Sequence, residues 1–306
     1  MTSEHERTKP TLPTSRPPLS EVDLHMMPFD ALVPDAQKQF FPDWTLYQKL
    51  PDWLNNFKVN YETIGFKRGI HELPKIDGSA IVVDKSMAST KFYENADLLR
   101  DYKGTLIVCD RALPYLVHTN VIPTYVLNVD SSYLCQYFFD LPEVKKYMNQ
   151  ITAIFAVTTH PLTIRLWHGE RVFFTPYLGG TQVTWNLAKI SGTPIINVGG
   201  EVSTLAWLLA YNLGSHPIGM FGITNSYDSL AETEYPDTPH EQETNKYGTF
   251  YYDKVYKRYA EIHKEFIKIA KRDGNVDTIN LTKGGCMYSK WIGDMSLKDF
   301  VERYNQ

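Results

Sequence analysis

The sequence has few cysteines, and they are not spaced to hold a zinc ion or a disulfide framework. Only three occur among 306 residues, Cys109, Cys135 and Cys286, and they are far apart. An odd, widely spaced set excludes a disulfide-rich secreted scaffold and a CxxC-type zinc site. We therefore expect a chain that folds in a reducing cytoplasm and uses none of its thiols in catalysis.

Long apolar runs and an excess of basic charge are also missing. No stretch approaches the roughly 20 apolar residues that a membrane-spanning helix needs. The polar N-terminus has no apolar core of the kind that a signal peptide contains. A net charge of −4 gives no support to a nucleic-acid partner. These absences predict a soluble, cytoplasmic protein without a membrane span or a nucleic-acid partner, and they leave a homo-oligomer possible.

The glycine-rich phosphate loops of common nucleotide-binding proteins are absent as well. Neither GxGxxG nor GxxxxGK[ST] occurs, so a standard dinucleotide fingerprint and a P-loop are excluded. A Gly-Gly pair, Gly199 and Gly200, does precede an apolar helical stripe. Glycines in this position let a phosphate approach the helix N-terminus, but they also form ordinary tight turns. Both interpretations stay open.

Composition divides the chain into four segments. Residues 1–20 are rich in Ser, Thr, Pro and charge, which predicts a disordered tail. Residues 21–77 combine clustered aromatics with prolines, which predicts an accessory segment of short helices packed on the main domain. Its aromatic side chains could stack an acceptor ring, and an interaction surface is the alternative. Residues 78–290 form the main domain, and residues 291–306 are predicted to end the chain in a helix with Ser296 as its N-cap.

Short apolar runs alternate with amphipathic segments in the main domain. Each run is β-branched-rich and almost continuously apolar, as strands covered on both faces must be. The runs are SAIVVD, TLIVCD, TYVLNVD, TAIFAVT, TPIINVG, HPIGMFG and VDTINLT. This alternation predicts an α/β fold, with a Rossmann-like, mostly parallel, doubly wound sheet and the N-terminal helical accessory segment.

Carboxylates and other polar side chains follow the apolar runs. Ligands of open α/β sheets lie outside the carboxyl ends of the strands, so these positions are the candidate site. Asp110 and Asp130 end two successive runs, where a carboxylate can either cap the next helix or hold Mg²⁺ together with substrate phosphates. Other polar or glycine positions after the runs are Lys85, Ser86, Arg111, Ser131, Thr224 and Gly284.

A polar stretch that contains His240 lies between the strand HPIGMFG and an amphipathic helix predicted over about residues 250–273. The segment DTPHEQETNKYG reads as a long loop, and loops of this length are often functional lids, although disorder is the alternative. His240 there and His160 after an earlier run are candidates for acid–base or phosphate contacts.

Three stretches of the main domain carry motifs of a known family: TLIVCDRALPYLVHTNVIPTYVLNVD, GGEVSTLAWLLAYNLGSHPIGMFGITNSY and TINLTKGGCMY. They resemble the archaeal 6-hydroxymethylpterin diphosphokinase (MptE-like) family, which also includes bacterial domains associated with flagellin glycosylation. The turn at Asp130 is also similar to an acidic turn of thiamine pyrophosphokinases. The order and approximate spacing of the motifs agree over residues 78–290.

The resemblance implies a Rossmann-like fold that transfers diphosphate from Mg²⁺-ATP to a pterin alcohol. It implies Asp110 and Asp130 as metal ligands, and we group them with Lys85 and His240 as the catalytic set. The expected nucleotide contacts are Ser86, Arg111, Ser131, Gly199, Gly200, Thr224 and Gly284.

Three departures from the family pattern keep other functions open. The strand before Lys85 ends without the family's glycine turn, and Thr224 and Lys283 stand where the family has acids. The leading hypothesis is Mg²⁺- and ATP-dependent diphosphoryl transfer to a hydroxymethyl group on a pterin-like acceptor. The alternatives are a glycosyltransferase that uses a nucleotide-activated sugar, and a non-catalytic nucleotide-binding protein.

Overall fold

The computed structural model describes residues 43–85, 89–178, 182–232 and 239–305. Within these residues nine parallel strands form one sheet, and two further strands form a separate antiparallel hairpin. The sheet strands are β1 (Ala80–Val83), β2 (Thr105–Cys109), β3 (Tyr125–Asn128), β4 (Thr152–Ala156), β5 (Arg171–Pro176), β6 (Ile195–Ile196), β7 (Ile218–Phe221), β10 (Thr278–Asn280) and β11 (Ile292–Asp294). The hairpin strands are β8 (Glu241–Asn245) and β9 (Gly248–Tyr252).

Helices cover both faces of the sheet, and the central strands that they bury are largely apolar. The helices are α1 (Asp43–Thr63), α2 (Ser89–Glu94), α3 (Ala96–Asp101), α4 (Leu113–His118), α5 (Gln136–Phe139), α6 (Pro142–Tyr147), α7 (Pro161–Leu166), α8 (Gln182–Ser191), α9 (Val202–Leu213), α10 (Lys254–Gly274) and α11 (Leu297–Tyr304). Alternate β1 residues enter two cores: Ile81 packs with helices such as α4 and α11, and Val82 with α9 and α10. The predicted Rossmann-like α/β fold is confirmed.

The order of the strands across the sheet reverses beside β1, although all nine strands are parallel. The order is β11-β10-β7-β1-β2-β3-β4-β5-β6, so the chain moves outward from β1 through β6 and then returns to pair β7 with the other side of β1. Ligands of such sheets bind at the carboxyl ends of the strands that flank this reversal. The candidate site is therefore expected at the ends of β1, β2 and β7.

Within the predicted accessory segment the structure describes residues 43–77, which form one long helix followed by a 3-10 turn at Ile70–Glu72 where prolines had predicted short helices. Helix α1 runs from Asp43 to Thr63 and passes through Pro51. Pro51 lies on the exposed side of the helix, where water can bind the carbonyl that loses its N–H donor. The predicted tail, residues 1–20, lies outside the described residues.

Three further elements differ from the sequence predictions. The runs RVFFTP and IGD were not predicted as strands but form β5 and β11. The stretch around His240 was predicted as a loop, and that is wrong for Glu241–Asn245, which forms β8 of the hairpin. Its partner β9 buries Phe250 and Tyr252 against Cys286, and this contact is invisible in the local pattern.

The predicted helix from about residue 250 begins at Lys254, because Oδ1 of Asp253 accepts hydrogen bonds from the backbone N–H groups of Val255 and Tyr256. Among the described residues no helix is both long and apolar enough to cross a membrane.

Candidate active site

Three carboxylates meet at the carboxyl ends of neighbouring strands. Asp84 directly follows β1, Asp110 directly follows β2, and Asp130 lies just beyond β3. Burial is the main cause that raises the pKa of Asp110 to about 7, and the charges of Asp84 and Asp130 raise it further. The predicted metal pair on successive strands is thus part of an acidic group of three, whose third member, Asp84, ends the first apolar run and lies outside that pair.

Asp110 is held in one orientation by two hydrogen bonds. Its Oδ2 accepts a bond of 2.5 Å from the side-chain amide of Asn128, and its Oδ1 accepts one of 2.7 Å from the backbone N–H of Arg111. Both bonds lower the pKa of Asp110 and so oppose the effect of burial. The Oδ1 atom of Asn128 is buried and has no hydrogen-bond partner among the described residues. The side chain that orients the Asp110 carboxylate therefore also carries a buried oxygen that could accept a further hydrogen bond or bind a cation.

Asp130 differs from Asp110 because it is exposed. Its Oδ1 accepts a 2.8 Å bond from the backbone N–H of Ser132, which bends the chain into a turn. Ser131, a predicted nucleotide contact, is buried, and its carbonyl accepts a bond from Asn56.

Helix α1 fastens the loops after β3 and β4, a role that the sequence did not reveal. The buried side-chain amide of Asn56 donates to the carbonyls of Ser131 and Thr158. One helical turn later, the amide of Asn60 donates to the carbonyls of Val157 and Thr159. Because buried carbonyls need donors, these two asparagines make the helix part of the carboxyl edge.

The Gly199-Gly200 turn leads into α9, as predicted, and both glycines have positive φ angles of 62° and 95°. A Cβ atom at Gly199 would lie 2.2 Å from the side chain of Thr204, so the turn requires glycine there. The turn geometry alone accounts for the pair, and the phosphate contact stays a prediction.

Glu201 places a further carboxylate at the N-terminus of α9. Its Oε1 accepts bonds from Thr204 Oγ1 at 3.0 Å and Asn225 Nδ2 at 2.9 Å. The buried His263 lies with Nδ1 3.8 Å from the same oxygen. A phosphate bound at this helix end would face the Glu201 carboxylate. Sequence reasoning missed these residues because α9, the β7 loop and α10 bring them together only in the fold.

The loops after β7 and β10 are packed against each other. Thr224 is buried, its Oγ1 donates to the carbonyl of Ser226, and its own carbonyl accepts from the backbone N–H of Cys286. A Cβ atom at Gly285 would lie 2.5 Å from Cβ of Thr224, whereas one at Gly284 would meet nothing within 4 Å. The predicted contact Thr224 is thus engaged in packing, and the predicted contact Gly284 borders open space.

The remaining predicted residues lie in different surroundings. Lys85 is half-buried, with Nζ 5.1 Å from the ring centre of Tyr115, and the Arg111 side chain is exposed. Ser86 lies outside the described residues. His240 packs edge-on against Tyr227 with ring centres 6.2 Å apart, and its Nε2 is buried without a hydrogen-bond partner among the described residues. His240 therefore contacts the β7 side of the edge, away from the predicted Asp110 and Asp130.

The donor atoms suit a hard cation better than a soft one. Asp110, Asp130 and the Oδ1 atom of Asn128 offer oxygen, which Mg²⁺ prefers, and Mg²⁺ usually takes one or two carboxylates together with phosphates. No group of three or more His, Cys, Asp and Glu side chains in the described part of the chain is arranged to hold a metal by itself. A cation here would need donor oxygens from a ligand.

The cysteine beside the acidic group is unsuited to nucleophilic chemistry. Cys109 is buried, and burial followed by the charges of Asp84, Asp110 and Glu201 raises the pKa of its thiol well above the ordinary value. The neutral thiol is a poor nucleophile.

Comparisons with known proteins agree with this fold. A family model described as 6-hydroxymethylpterin diphosphokinase MptE-like matches residues 92–229. The structure of a MAf glycosyltransferase from Magnetospirillum magneticum AMB-1 superposes with a TM-score of 0.62 at 14% identity, over 81% of this chain and 38% of that one. The chain therefore spans well under half of that transferase, and at this identity the likeness shows the fold. No curated protein matches the chain.

Proposed function

Because residues 92–229 match the MptE-like family, we propose that the chain is a transferase that takes a group from a nucleotide donor and delivers it to a hydroxyl acceptor. The observation that carries this proposal is the acidic group of Asp84, Asp110 and Asp130 at the reversal of strand order, where ligands of such sheets bind. Three carboxylates in one place repel each other, and a cation with bound phosphates relieves that repulsion.

The first candidate reaction is diphosphoryl transfer from ATP to the hydroxymethyl group of a pterin-like acceptor. The acceptor oxygen would bond to the β-phosphorus, the bond from that phosphorus to the oxygen of the α-phosphate would break, and AMP would leave. Mg²⁺, when bound, would neutralise charge on the phosphates. Asp110 and Asp130 would hold it, with the Oδ1 atom of Asn128 as a further oxygen.

The side chains of this chain would do the rest by position and charge. Lys85, near the end of β1, and Arg111, after Asp110, are the cations nearest in sequence to the carboxylates and would offset charge on the donor. Ser86, Ser131, Gly199, Gly200, Thr224 and Gly284 are proposed as nucleotide contacts. The proton of the acceptor hydroxyl would pass to solvent water, and His240, on the β7 side of the edge, is proposed as a contact for the donor phosphates.

A second candidate is sugar transfer from a nucleotide-activated sugar. It is supported by the fold likeness to a glycosyltransferase, because that likeness covers 81% of the chain and so extends beyond residues 92–229. The same carboxylates would then hold the cation that binds the phosphates of the donor, and the nucleotide with its phosphates would be the leaving group. No AMP would be formed from ATP.

The test compares two isosteric substitutions of exposed aspartates. Asp130→Asn removes the charge but keeps an oxygen for the Ser132 N–H, whereas Asp97→Asn changes an α3 residue that pairs with Arg100. With ATP, Mg²⁺ and 6-hydroxymethyl-7,8-dihydropterin, we expect AMP release to fall about a hundredfold in Asp130→Asn and to stay unchanged in Asp97→Asn. Equal AMP release from all three proteins would contradict the role of Asp130.

Thermal shifts with nucleotides separate the candidates. A ligand that binds the folded state raises its melting temperature, and the stabilisation grows with the logarithm of ligand concentration divided by Kd. Stabilisation by ATP with AMP release supports diphosphoryl transfer, and stronger stabilisation by CMP or UDP derivatives supports sugar transfer. Nucleotide binding without turnover on any donor would identify a non-catalytic member of the fold.

A further inference from the structure

The N-terminus of α9 presents a carboxylate beside backbone hydrogen-bond donors. Glu201 directly precedes the helix, and its side chain makes no capping hydrogen bond to the first turn. The N–H groups of a first helical turn have no acceptors within the helix, so they can donate to a group outside it. A ligand at this helix end therefore meets donors and an acidic acceptor side by side.

Three side chains from different elements close off one oxygen of Glu201. Its Oε1 accepts from Thr204 of α9 and from Asn225 of the loop after β7, and Nδ1 of His263 in α10 lies 3.8 Å away. Among the described residues every polar contact of this carboxylate is made with Oε1, which leaves Oε2 for a ligand. The side chain is 13% exposed, so a ligand can reach it.

Buried polar atoms near this carboxylate lack hydrogen-bond partners. His263 is fully buried, and neither of its ring nitrogens makes a hydrogen bond within the described part of the chain. Ser203, in the first turn of α9, is also fully buried, and its Oγ atom has no partner there either. Buried groups of this kind are rare, and a bound ligand or water is one of the causes. His263 faces the helix end, because its Nδ1 lies within 4 Å of Glu201.

Glu201 also lies near the acidic group of the proposed site. Burial, followed by the charges of Asp84, Asp110 and Glu201, raises the pKa of the Cys109 thiol at the end of β2. One thiol is thus close to all three carboxylates. The bond from Asn225 connects Glu201 to the β7 side of the same edge. A ligand held by Glu201 would therefore lie beside the phosphates of a donor, on their β7 side.

The mixture of donors and acceptor at the helix end selects the ligand. An ionised carboxylate only accepts hydrogen bonds, and a phosphate is also an acceptor and carries the same sign of charge. An ammonium group only donates, so it would leave the backbone N–H groups without an acceptor. A hydroxyl group donates and accepts, and two neighbouring hydroxyls fit both partners. Ribose carries such a pair, and both candidate donors, ATP and a nucleotide-activated sugar, contain ribose.

We propose that Oε2 of Glu201 accepts hydrogen bonds from the 2′- and 3′-hydroxyl groups of the donor ribose, while the first turn of α9 donates to their oxygens. This inference rests on the proposed transferase function and names the residue that recognises the donor's sugar. It assigns the helix end after Gly199 and Gly200 to the ribose of the nucleotide and not to a phosphate.

The experiment compares ribonucleotides with their 2′,3′-dideoxy counterparts. Isothermal titration calorimetry with Mg²⁺ measures Kd for ATP, CTP and UTP and for the dideoxy form of each. The proteins are the wild type, Glu201→Gln and the control Glu265→Gln, which alters an α10 glutamate that pairs with Lys268. Glutamine at position 201 keeps an oxygen for Thr204 and Asn225 but presents an NH₂ donor in place of Oε2.

The ratio of the two Kd values isolates the contribution of the ribose hydroxyls. For each base that binds, we expect the wild type and the control to bind the ribonucleotide at least about tenfold more tightly than its dideoxy form, as hydrogen bonds to a charged group allow. In Glu201→Gln the ratio should fall to about one while the dideoxy form still binds. Retained dideoxy binding also shows that the variant is folded.

Three outcomes would overturn the proposal. Two need no variant: equal affinity of the wild type for the ribose and dideoxy forms, and no binding of any of the three ribonucleotides at millimolar concentration. The third is a ribose preference that persists in Glu201→Gln. Failure of the transferase function is recognised separately, because donor turnover would then be equal in Asp130→Asn and the wild type while the ribose preference remains.

Discussion

The two halves of the sheet's carboxyl edge differ in what holds them together. The acidic half, formed by Asp84, Asp110 and Asp130 after β1, β2 and β3, contains a buried carboxylate that faces two other negative charges. The neutral half lies in the loops after β7 and β10 and is named for the uncharged residues Thr224, Gly285 and Cys286, whose contacts close it. A buried negative charge costs stability in the acidic half, whereas close contacts between uncharged residues hold the neutral half together. This contrast fits the proposed site, in which the acidic half would trade stability for chemistry.

The largest change in stability is expected when the charge of Asp110 is removed from the acidic half. Folding raises the pKa of Asp110 from 3.8 to about 7, so the folded state binds this proton more tightly. Stability should therefore fall as pH rises from about 4 to about 7. Asp110→Asn should stabilise the protein by up to about 4 kcal/mol at pH 8 and by less at pH 5. Urea unfolding at the two pH values measures this.

Asparagine at position 110 could also use the free oxygen of Asn128. Its side-chain oxygen would accept from the Arg111 N–H, and its amide would donate to Asn128 Oδ1 after the Asn128 amide turns over, because Asn128 now presents its donor Nδ2 to this position. The control is Asp97→Asn, which should leave stability nearly unchanged because Asp97 is exposed. A less stable Asp110→Asn protein at pH 8 would show that the acidic half is not under electrostatic strain.

The next effect concerns the neutral half. Gly285→Ala would place a Cβ atom 2.5 to 2.7 Å from Thr224 Cβ, Cα and O, at a φ angle of +76°. Overpacking and the positive φ together should destabilise the protein by about 3 kcal/mol. Gly284→Ala, next along the chain, meets open space and should be nearly neutral. Equal melting temperatures for the two variants would mean that the loops after β7 and β10 separate easily.

A smaller effect is expected where α1 joins the acidic half. Asn60→Ala removes the donor for the carbonyls of Val157 and Thr159 and should cost about 2 kcal/mol in free energy of unfolding. Asn212→Ala removes only a half-buried bond to Leu208 within α9 and should cost less than half as much. If chemical denaturation shows the reverse order, α1 is not an integral part of the edge.

The smallest effect lies next to the neutral half, where the hairpin meets α10. Asp253→Ala removes the cap of two backbone N–H groups and should lower the free energy of unfolding by about 1 kcal/mol. Asp253→Ser keeps a capping oxygen and should retain most of that stability. Thermal unfolding of both variants checks this, and equal losses would argue against the cap.

The sequence allowed the fold to be predicted where a local pattern was sufficient. Buried strands such as TLIVCD and the Ser296 cap of α11 carry their signal within a few residues. Strand β11, with the sequence IGD, is too short for such a signal. Strand β8 consists of polar, mostly exposed residues, because the buried aromatic side chains of the hairpin lie in its partner β9. Strands of this kind are defined by contacts with distant residues.

The candidate site divides in the same way. Asp110 and Asp130 were predictable because strand ends of parallel sheets meet at one edge. Glu201, His263 and Asn56 were missed because no neighbouring residue in the sequence indicates that these side chains contact a distant loop or helix. Only the tertiary structure brings each of them next to its partner.

The asparagines of α1 also bear on the order in which the chain folds during synthesis. Asn56 and Asn60 precede the carbonyls that they bind by 75 to 102 residues. Synthesis at about 5 to 20 residues per second means that α1 waits several seconds before strand β4 offers its loop. We therefore expect the helix to dock late, after β1 to β4 have paired, so that completion of the acidic edge coincides with the final closure of the N-terminal half.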